Sequence, residues 1–161
     1  LVFSTLHTND SAGAITRLVN MGIEPFLVTS STIAIQAQRL VRRLCDQCKE
    51  AYVAEAASIT DVGLRPEMVE GKQLYQAKGC ESCMNRGYYG RTGIFELLVM
   101  TPHIQELALR GADSNHIKRE ARKQGMRTLR EDGAQKILRG ATTIEEILRV
   151  TRDDLVEEVL D

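Results

Sequence analysis

The sequence predicts an α/β protein that is interrupted by an inserted metal-binding segment and finished by a run of helices. Three observations carry this. Apolar β-forming runs stand beside polar, helix-capping loops. Four cysteines fall in two Cys-x-x-Cys pairs far apart in the chain. The final third is punctuated by helix caps and glycine stops.

In chain order, Leu1-Val2-Phe3-Ser4-Thr5-Leu6 reads as a buried strand, and a chain opening inside a strand is expected to be a portion of something longer. His7-Thr8-Asn9-Asp10-Ser11 follows, with Asp10 or Ser11 positioned to cap a helix that runs to about Met21 and stops at Gly22. Ala14, Leu18 and Met21, with Ile15 beside them, form its predicted apolar face. Pro25 opens a second helical stretch through Phe26, Leu27, Ile33, Ile35 and Ala37. Gln38 to Leu44 fits a helix end or a strand.

Residues 51–79 carry weaker signals, a short helix near Glu67-Met68-Val69 and a strand near Leu74 to Ala77. Gly87 to Gly93 reads as a glycine-rich turn leading into a strand over Ile94 to Met100. Beyond it, Thr101 with Pro102, and Asp113 or Ser114, start two helices that Gly111 and Gly125 end. Thr128 with Glu131 and Thr143 with Glu146 form two capping boxes, and Gly140 closes the helix between them. The tail after Thr151 is acidic at Asp153, Asp154, Glu157, Glu158 and Asp161.

Of the 161 residues 43% are hydrophobic and 27% charged, and aromatics make up only 4% with no Trp, so the core must be aliphatic. The net charge of −1 gives no general support to a nucleic-acid or membrane-surface role. No apolar run reaches the roughly 18 residues of a membrane span.

Cys45, Cys48, Cys80 and Cys83 use every cysteine in the chain. Each pair can place two thiolates on one side of a tight turn, and two such knuckles complete a tetrahedral zinc shell. With four thiolates no position stays open, so the zinc is expected to be structural. Buried free thiols and disulfides are the alternatives, and a redox Cys-x-x-Cys needs only one pair. Lys49, Lys78 and Arg86 could offset the charge of four thiolates. If Leu40–Leu44 and Ile94–Met100 are paired strands, residues 45–83 are an insertion stapled at its base.

His7 lies between a strand and a helix start, where α/β sheets gather ligands. Spacing alone favours the plainer reading, a hydrogen-bonded loop histidine. Arg39, Arg42, Arg43 and Arg91 fit a solvated or acidic-partner face, with Arg91 best placed to meet a ligand or neighbouring subunit. His103 and His116 read as exposed helix residues. No Gly-Lys-Ser/Thr phosphate loop occurs in the chain.

Ser4-Thr5-Leu6-His7-Thr8-Asn9, Met21-Gly22-Ile23-Glu24-Pro25-Phe26 and Gln38-Arg39-Leu40-Val41-Arg42 with Cys45 and Cys48 resemble the secretion ATPases. So do Gly90-Arg91-Thr92-Gly93-Ile94-Phe95-Glu96-Leu97 and Arg130-Glu131-Asp132-Gly133. The nearest group is the assembly ATPases of type II secretion and type IV pilus systems. The resemblance implies the C-terminal part of a RecA-like P-loop motor over residues 1–44, an inserted zinc subdomain over 45–83, a returning core strand over 84–100 and a helical subdomain over 101–161. It implies a hexamer on the cytoplasmic face of the bacterial inner membrane, using ATP and Mg²⁺ to assemble pilins or pseudopilins through inner-membrane platform and adaptor proteins. By the same resemblance His7 is a catalytic residue near the γ-phosphate, Arg91 lies close to the nucleotide, and the four cysteines bind zinc. The Walker A lysine and Walker B acids precede Leu1 in such proteins, so the chain alone is expected to be inactive. A freestanding zinc ribbon is the competing expectation. It would bind nucleic acid through Arg86, Tyr88, Tyr89 and Arg91, or serve as a protein-interaction module.

Overall fold

Two antiparallel pairings of strands organise a mixed α/β chain in the computed structural model, which describes residues 1–152. The acidic tail lies outside the described residues. The order is α1 (Ser11–Asn20), α2 (Pro25–Ser31), β1 (Ala34–Leu44), β2 (Glu50–Tyr52), α3 (Ala56–Asp61), α4 (Pro66–Val69) and β3 (Leu74–Gln76). A 3₁₀ turn (Glu81–Cys83), β4 (Tyr88–Val99), α5 (Pro102–Leu109), α6 (Ser114–Lys123), α7 (Leu129–Leu138) and α8 (Ile144–Val150) follow. β1 pairs with β4, and β2 pairs with β3 in the register Glu50↔Gln76, Ala51↔Tyr75, Tyr52↔Leu74. The Met100 amide donates to the Ile33 carbonyl at 3.0 Å and the Cys45 amide to the Gly87 carbonyl at 3.0 Å, so β1 and β4 run antiparallel.

The chain divides into two compact units, one of Leu1–Gln38 with Phe95–Thr128, the other of Arg39–Ile94 with the residues from Leu129 onward. In the first unit, Ala12 and Ile15 of α1, Val28 of α2, Leu98 of β4, Ile104 and Ala108 of α5, and Ile117 and Ala121 of α6 form one apolar core. Each helix start there is locally fixed. Asp10 Oδ1 accepts from the Gly13 amide at 2.7 Å, and Asp113 Oδ1 from the His116 amide at 2.9 Å. Thr101 Oγ1 accepts from the Ile104 amide at 3.4 Å, with Pro102 in the first turn.

The second unit is tied by a buried carboxylate. The Thr143 hydroxyl caps α8, but Glu146 does not close the reciprocal half of the capping box. Its two oxygens turn to Arg42 and Arg149. Oε1 accepts from the Arg42 amide at 2.9 Å and Arg149 Nη2 at 2.7 Å; Oε2 accepts from Arg42 Nε at 2.9 Å and Nη2 at 2.7 Å, and Arg149 Nε at 2.9 Å. Arg42 lies 4.0 Å over the Tyr88 ring, whose hydroxyl meets Thr143 Oγ1 at 2.9 Å. Buried Arg130 donates to the Asp61 carbonyl at 3.2 Å, to Thr151 Oγ1 at 3.1 Å and to the Thr151 carbonyl. α7 crosses α8 so closely that a Cβ at Gly133 would stand 2.7 Å from Ile147 Cδ1.

Several expectations are corrected. Leu1 to Leu6 form no strand, and Leu1, Val2 and Phe3 are 93%, 90% and 89% exposed. Among the described residues their backbone has no neighbouring strand to satisfy it, and apolar sequence alone cannot supply one. α2 ends at Ser31, because Thr32 is already extended, and Ile35 and Ala37 belong to the alternating run of β1, with Ile33 just before it. Met21 is exposed at the C-cap of α1. Gly90 to Gly93 lie inside β4, which starts at Tyr88 and is held there by the Tyr88 contacts. β2 and α3 carried too few periodic residues to be foreseen. His116 is half-buried.

Burial pushes the Glu146 carboxyl up, but the bonds from Arg149 and Arg42 outweigh it and hold it at about 2. A carboxyl held below its unfolded value near 4.5 stabilises the fold above that pH, and the contribution disappears as the pH falls toward about 2. Arg42 and Arg149 are 42% and 55% exposed, which weakens the pairing. Glu146→Gln is expected to lower stability at pH 7 by about 2 kcal/mol and to flatten the acid limb of stability between pH 4.5 and 2. Urea melts of both forms across that range test this.

Candidate metal centre

The cysteines gather where β1 and β4 leave their pairing. Cys45 follows the last residue of β1, and its amide donates to Gly87, the residue before β4. The first knuckle closes through the Cys48 and Lys49 amides onto the Cys45 carbonyl at 3.3 and 3.0 Å. The second repeats the pattern, with the Cys83 and Asn85 amides on the Cys80 carbonyl at 3.2 and 2.8 Å. Gly87 has φ of 73°, and a Cβ there would lie 2.6 Å from that of Ala77, so any side chain would push the second knuckle out of place. Ser82 Oγ donates to Gln47 Oε1 at 2.5 Å, tying one knuckle to the other.

The four Sγ atoms lie within 4.8 Å of one another, with Cys45–Cys80 at 3.9 Å, Cys48–Cys83 at 3.8 Å and Cys80–Cys83 at 3.8 Å. Four sulfurs about 2.3 Å from a tetrahedral zinc stand about 3.8 Å apart. The thiols are free, Cys45 and Cys83 buried and the other two half-buried. Cys83 Sγ accepts from the amides of Cys80 and Gly87, each at 3.2 Å. Burial pushes the Cys83 thiol up, but these amide bonds prevail and bring it to about 6, whereas burial drives Cys48 up to about 12. Among the described residues no other group of three or more His, Cys, Asp or Glu side chains is gathered in this way. The arrangement can hold one tetrahedral metal ion.

The nearby cations are already engaged. Lys49 pairs with Asp46 at 2.9 Å and sits 5.2 Å over Tyr75, Lys78 pairs with Glu50 at 3.0 Å, and Arg86 donates to Met84 Sδ at 3.8 Å. Backbone amides, rather than these cations, face the sulfurs. Tyr88, which a nucleic-acid surface would need for stacking, is spent internally on Arg42 and Thr143.

His7 is exposed on the irregular segment before α1, in the first unit. Arg91 is exposed on β4, in the second. Sequence reasoning gave no role to Glu96, which is 1% exposed between Ile94 and Leu98 on the inward face of β4. Its signal was available, since a carboxylate shares the parity of two buried aliphatics.

Comparison with known proteins gives a consistent picture. The sequence profile described as "Type II/IV secretion system protein" matches residues 1–149. "Type II secretion system protein E" of Pseudomonas aeruginosa is 49% identical over 96% of the chain and 30% of its own length. "Type IV pilus assembly ATPase PilB" of Thermus thermophilus is 46% identical over 94% of the chain and 17% of its own length. "Type II secretion system ATPase E" of Vibrio cholerae is 44% identical over 95% and 30%. The chain thus spans less than a third of the curated relatives it matches.

Metal binding by four thiols must release their protons, so affinity falls with pH. The reduced, metal-free chain is expected to take up one divalent ion, and to bind it at least tenfold more weakly at pH 6 than at pH 8. Competition against a chromophoric chelator at the two pH values measures this.

Proposed function

The chain belongs to the type II/IV secretion system protein family, and from that premise we propose that it is the C-terminal part of a RecA-like motor ATPase driving pilin or pseudopilin assembly. The observation that carries this is the family match across residues 1–149, with relatives named as secretion and pilus-assembly ATPases at 44 to 49% identity. In this reading the motor is a hexamer on the cytoplasmic face of the bacterial inner membrane, working on platform and adaptor proteins of its machine. No helix among the described residues is long and apolar enough to cross a membrane.

Within the motor, Cys45, Cys48, Cys80 and Cys83 hold a structural zinc that closes the insertion at its base. All four positions of a tetrahedral ion are then filled, which leaves none for water or substrate. His7 serves the γ-phosphate of ATP, where an imidazole N–H can donate to a phosphate oxygen, and Arg91 supplies a charge near the nucleotide. The helices after Thr101 form the helical subdomain that completes the core. ATP and Mg²⁺ need a glycine-lysine phosphate loop that these 161 residues do not contain, so the chain alone has no turnover.

Two measurements test the reading. Plasma mass spectrometry of freshly purified, reduced protein is expected to find one zinc per chain, and chelation to lower the melting temperature by on the order of 10 °C. Zinc-free protein would remove the metal from the proposal. The chain is also expected to show no ATP turnover by itself, but to support it when it replaces the matched segment of the Vibrio cholerae relative. A folded, zinc-loaded hybrid without turnover would overturn the motor reading, and turnover by the chain alone would overturn its predicted inactivity.

A further inference from the structure

The first unit buries a carboxylate that the metal centre does not use. Glu96 is 1% exposed on the inward face of β4, flanked in parity by Ile94 and Leu98. For packing alone a leucine there would serve better, because a buried carboxylate needs partners. What only an acceptor can do is visible at Oε1, which receives both the amide of Ser11 at 2.9 Å and the Ser11 hydroxyl. Oε2 has no hydrogen-bond partner. Ser11 is the first residue of α1, is itself fully buried, and also reaches Met126 Sδ at 3.8 Å. A second anchor lies one residue earlier, where Lys118 of α6 donates to Asp10 Oδ2 at 3.2 Å while Oδ1 caps the helix. Thr8 Oγ1 then donates to the Asp10 carbonyl at 2.8 Å, one residue after His7.

We propose that Glu96 is a positioning residue for the His7 segment, fixing the first turn of α1 through Ser11 and thereby the direction in which Asp10, Thr8 and His7 leave it. The inference rests on His7 serving ATP turnover. Glu96 and Ser11 act at a distance along the chain and touch no nucleotide. A displaced segment lowers the rate of the chemical step, because small misplacements of a reacting group cost rate steeply. Burial pushes the Glu96 carboxyl above its ordinary range against the opposing Ser11 bonds. Glutamine keeps an acceptor oxygen at Oε1, where both Ser11 bonds arrive, and so preserves the anchor.

The test is ATP turnover in the Vibrio cholerae hybrid described above, with Ser11→Ala, Glu96→Ala, Glu96→Gln and His7→Ala, and with Ser11→Ala placed in the His7→Ala background. Ser11→Ala and Glu96→Ala are expected to lower kcat about tenfold with KM for ATP within about twofold, and Glu96→Gln to stay within about threefold of the parent. In the absence of His7, Ser11→Ala should change kcat by less than about twofold, since coupled residues are not additive. An equal loss from Ser11→Ala with and without His7 would make the contact merely structural and overturn the proposal, as would full kcat in both the Ser11 and Glu96→Ala variants. If Glu96→Ala does not fold, Ser11→Ala, which removes one hydroxyl, decides. Full turnover in His7→Ala alone would instead sink the role of His7, without reference to any Glu96 variant.

Discussion

Each compact unit contains part of the antiparallel pairing of β1 with β4. The two strands are separated in sequence by residues 45–87, yet their pairing is marked at both ends, by Met100 on Ile33 and by Cys45 on Gly87. One half of the ribbon offers Leu98 to the core of the first unit, and the other buries Val41, Leu44 and Ile94 in the second. A two-stranded ribbon is marginal in water by itself. It becomes stable here because α1, α2, α5 and α6 pack on the C-terminal end of β4 at Leu98, while α8 is bolted to β1 by Glu146 and Arg42. The bonding of the Leu44 amide to the Ala141 carbonyl at 2.9 Å extends that attachment to the last residue of β1.

The two buried glutamates show how surroundings push the same side chain in opposite directions. Glu146 is met on both oxygens by two guanidinium groups and by the Arg42 amide, so its charge is compensated and its carboxyl sits at about 2. Glu96 has Ser11 on one oxygen and nothing on the other, with Lys118 engaged by Asp10, and burial drives its carboxyl up. The first is a charged clamp whose worth depends on its arginines. The second is a hydrogen-bond acceptor for the first turn of α1.

What could be read from the sequence was what local chemistry determines. Thr101 with Pro102, Asp113 and Thr143 announce helix starts because a cap needs only a side chain and an amide three residues on, and all three are found capping. The cysteines were legible because Cys-x-x-Cys is itself a local turn. Leu1 to Leu6 failed for the converse reason, since a strand is defined by its neighbours and none of the described strands borders this one. The Thr143–Glu146 box was half right. Glu146 stands three residues past the cap as the pattern requires, but Arg42, more than a hundred residues earlier, offers its carboxylate a stronger partner than the cap's own amide. Glu96 was quoted in the Gly90–Leu97 motif but given no role, because its partner, Ser11, is 85 positions away.

The insertion has the least apolar material to hold it, and that decides how it must be built. β2 and β3 have three residues each, α3 has six and α4 four, and its fully buried aliphatics are Val62, Leu64 and Leu74, with Ile59 at the margin. Such elements cannot support themselves by core burial. Two kinds of tether replace it. One fixes its surroundings: Arg130 of α7 takes the Asp61 carbonyl at the end of α3, and Gly140 leaves room for the Tyr75 ring, which a Cβ would meet at 2.9 Å. The other fixes its ends, where the Gln47–Ser82 bond, the amides on Cys83 and the proposed zinc all act between residues 45 and 87. Closing the base removes the loop-closure entropy of the intervening chain before any side chain packs, and the entropy so removed grows only slowly with loop length. A clip at Cys45–Cys83 therefore suits an insertion whose own elements are short and bury few aliphatic side chains.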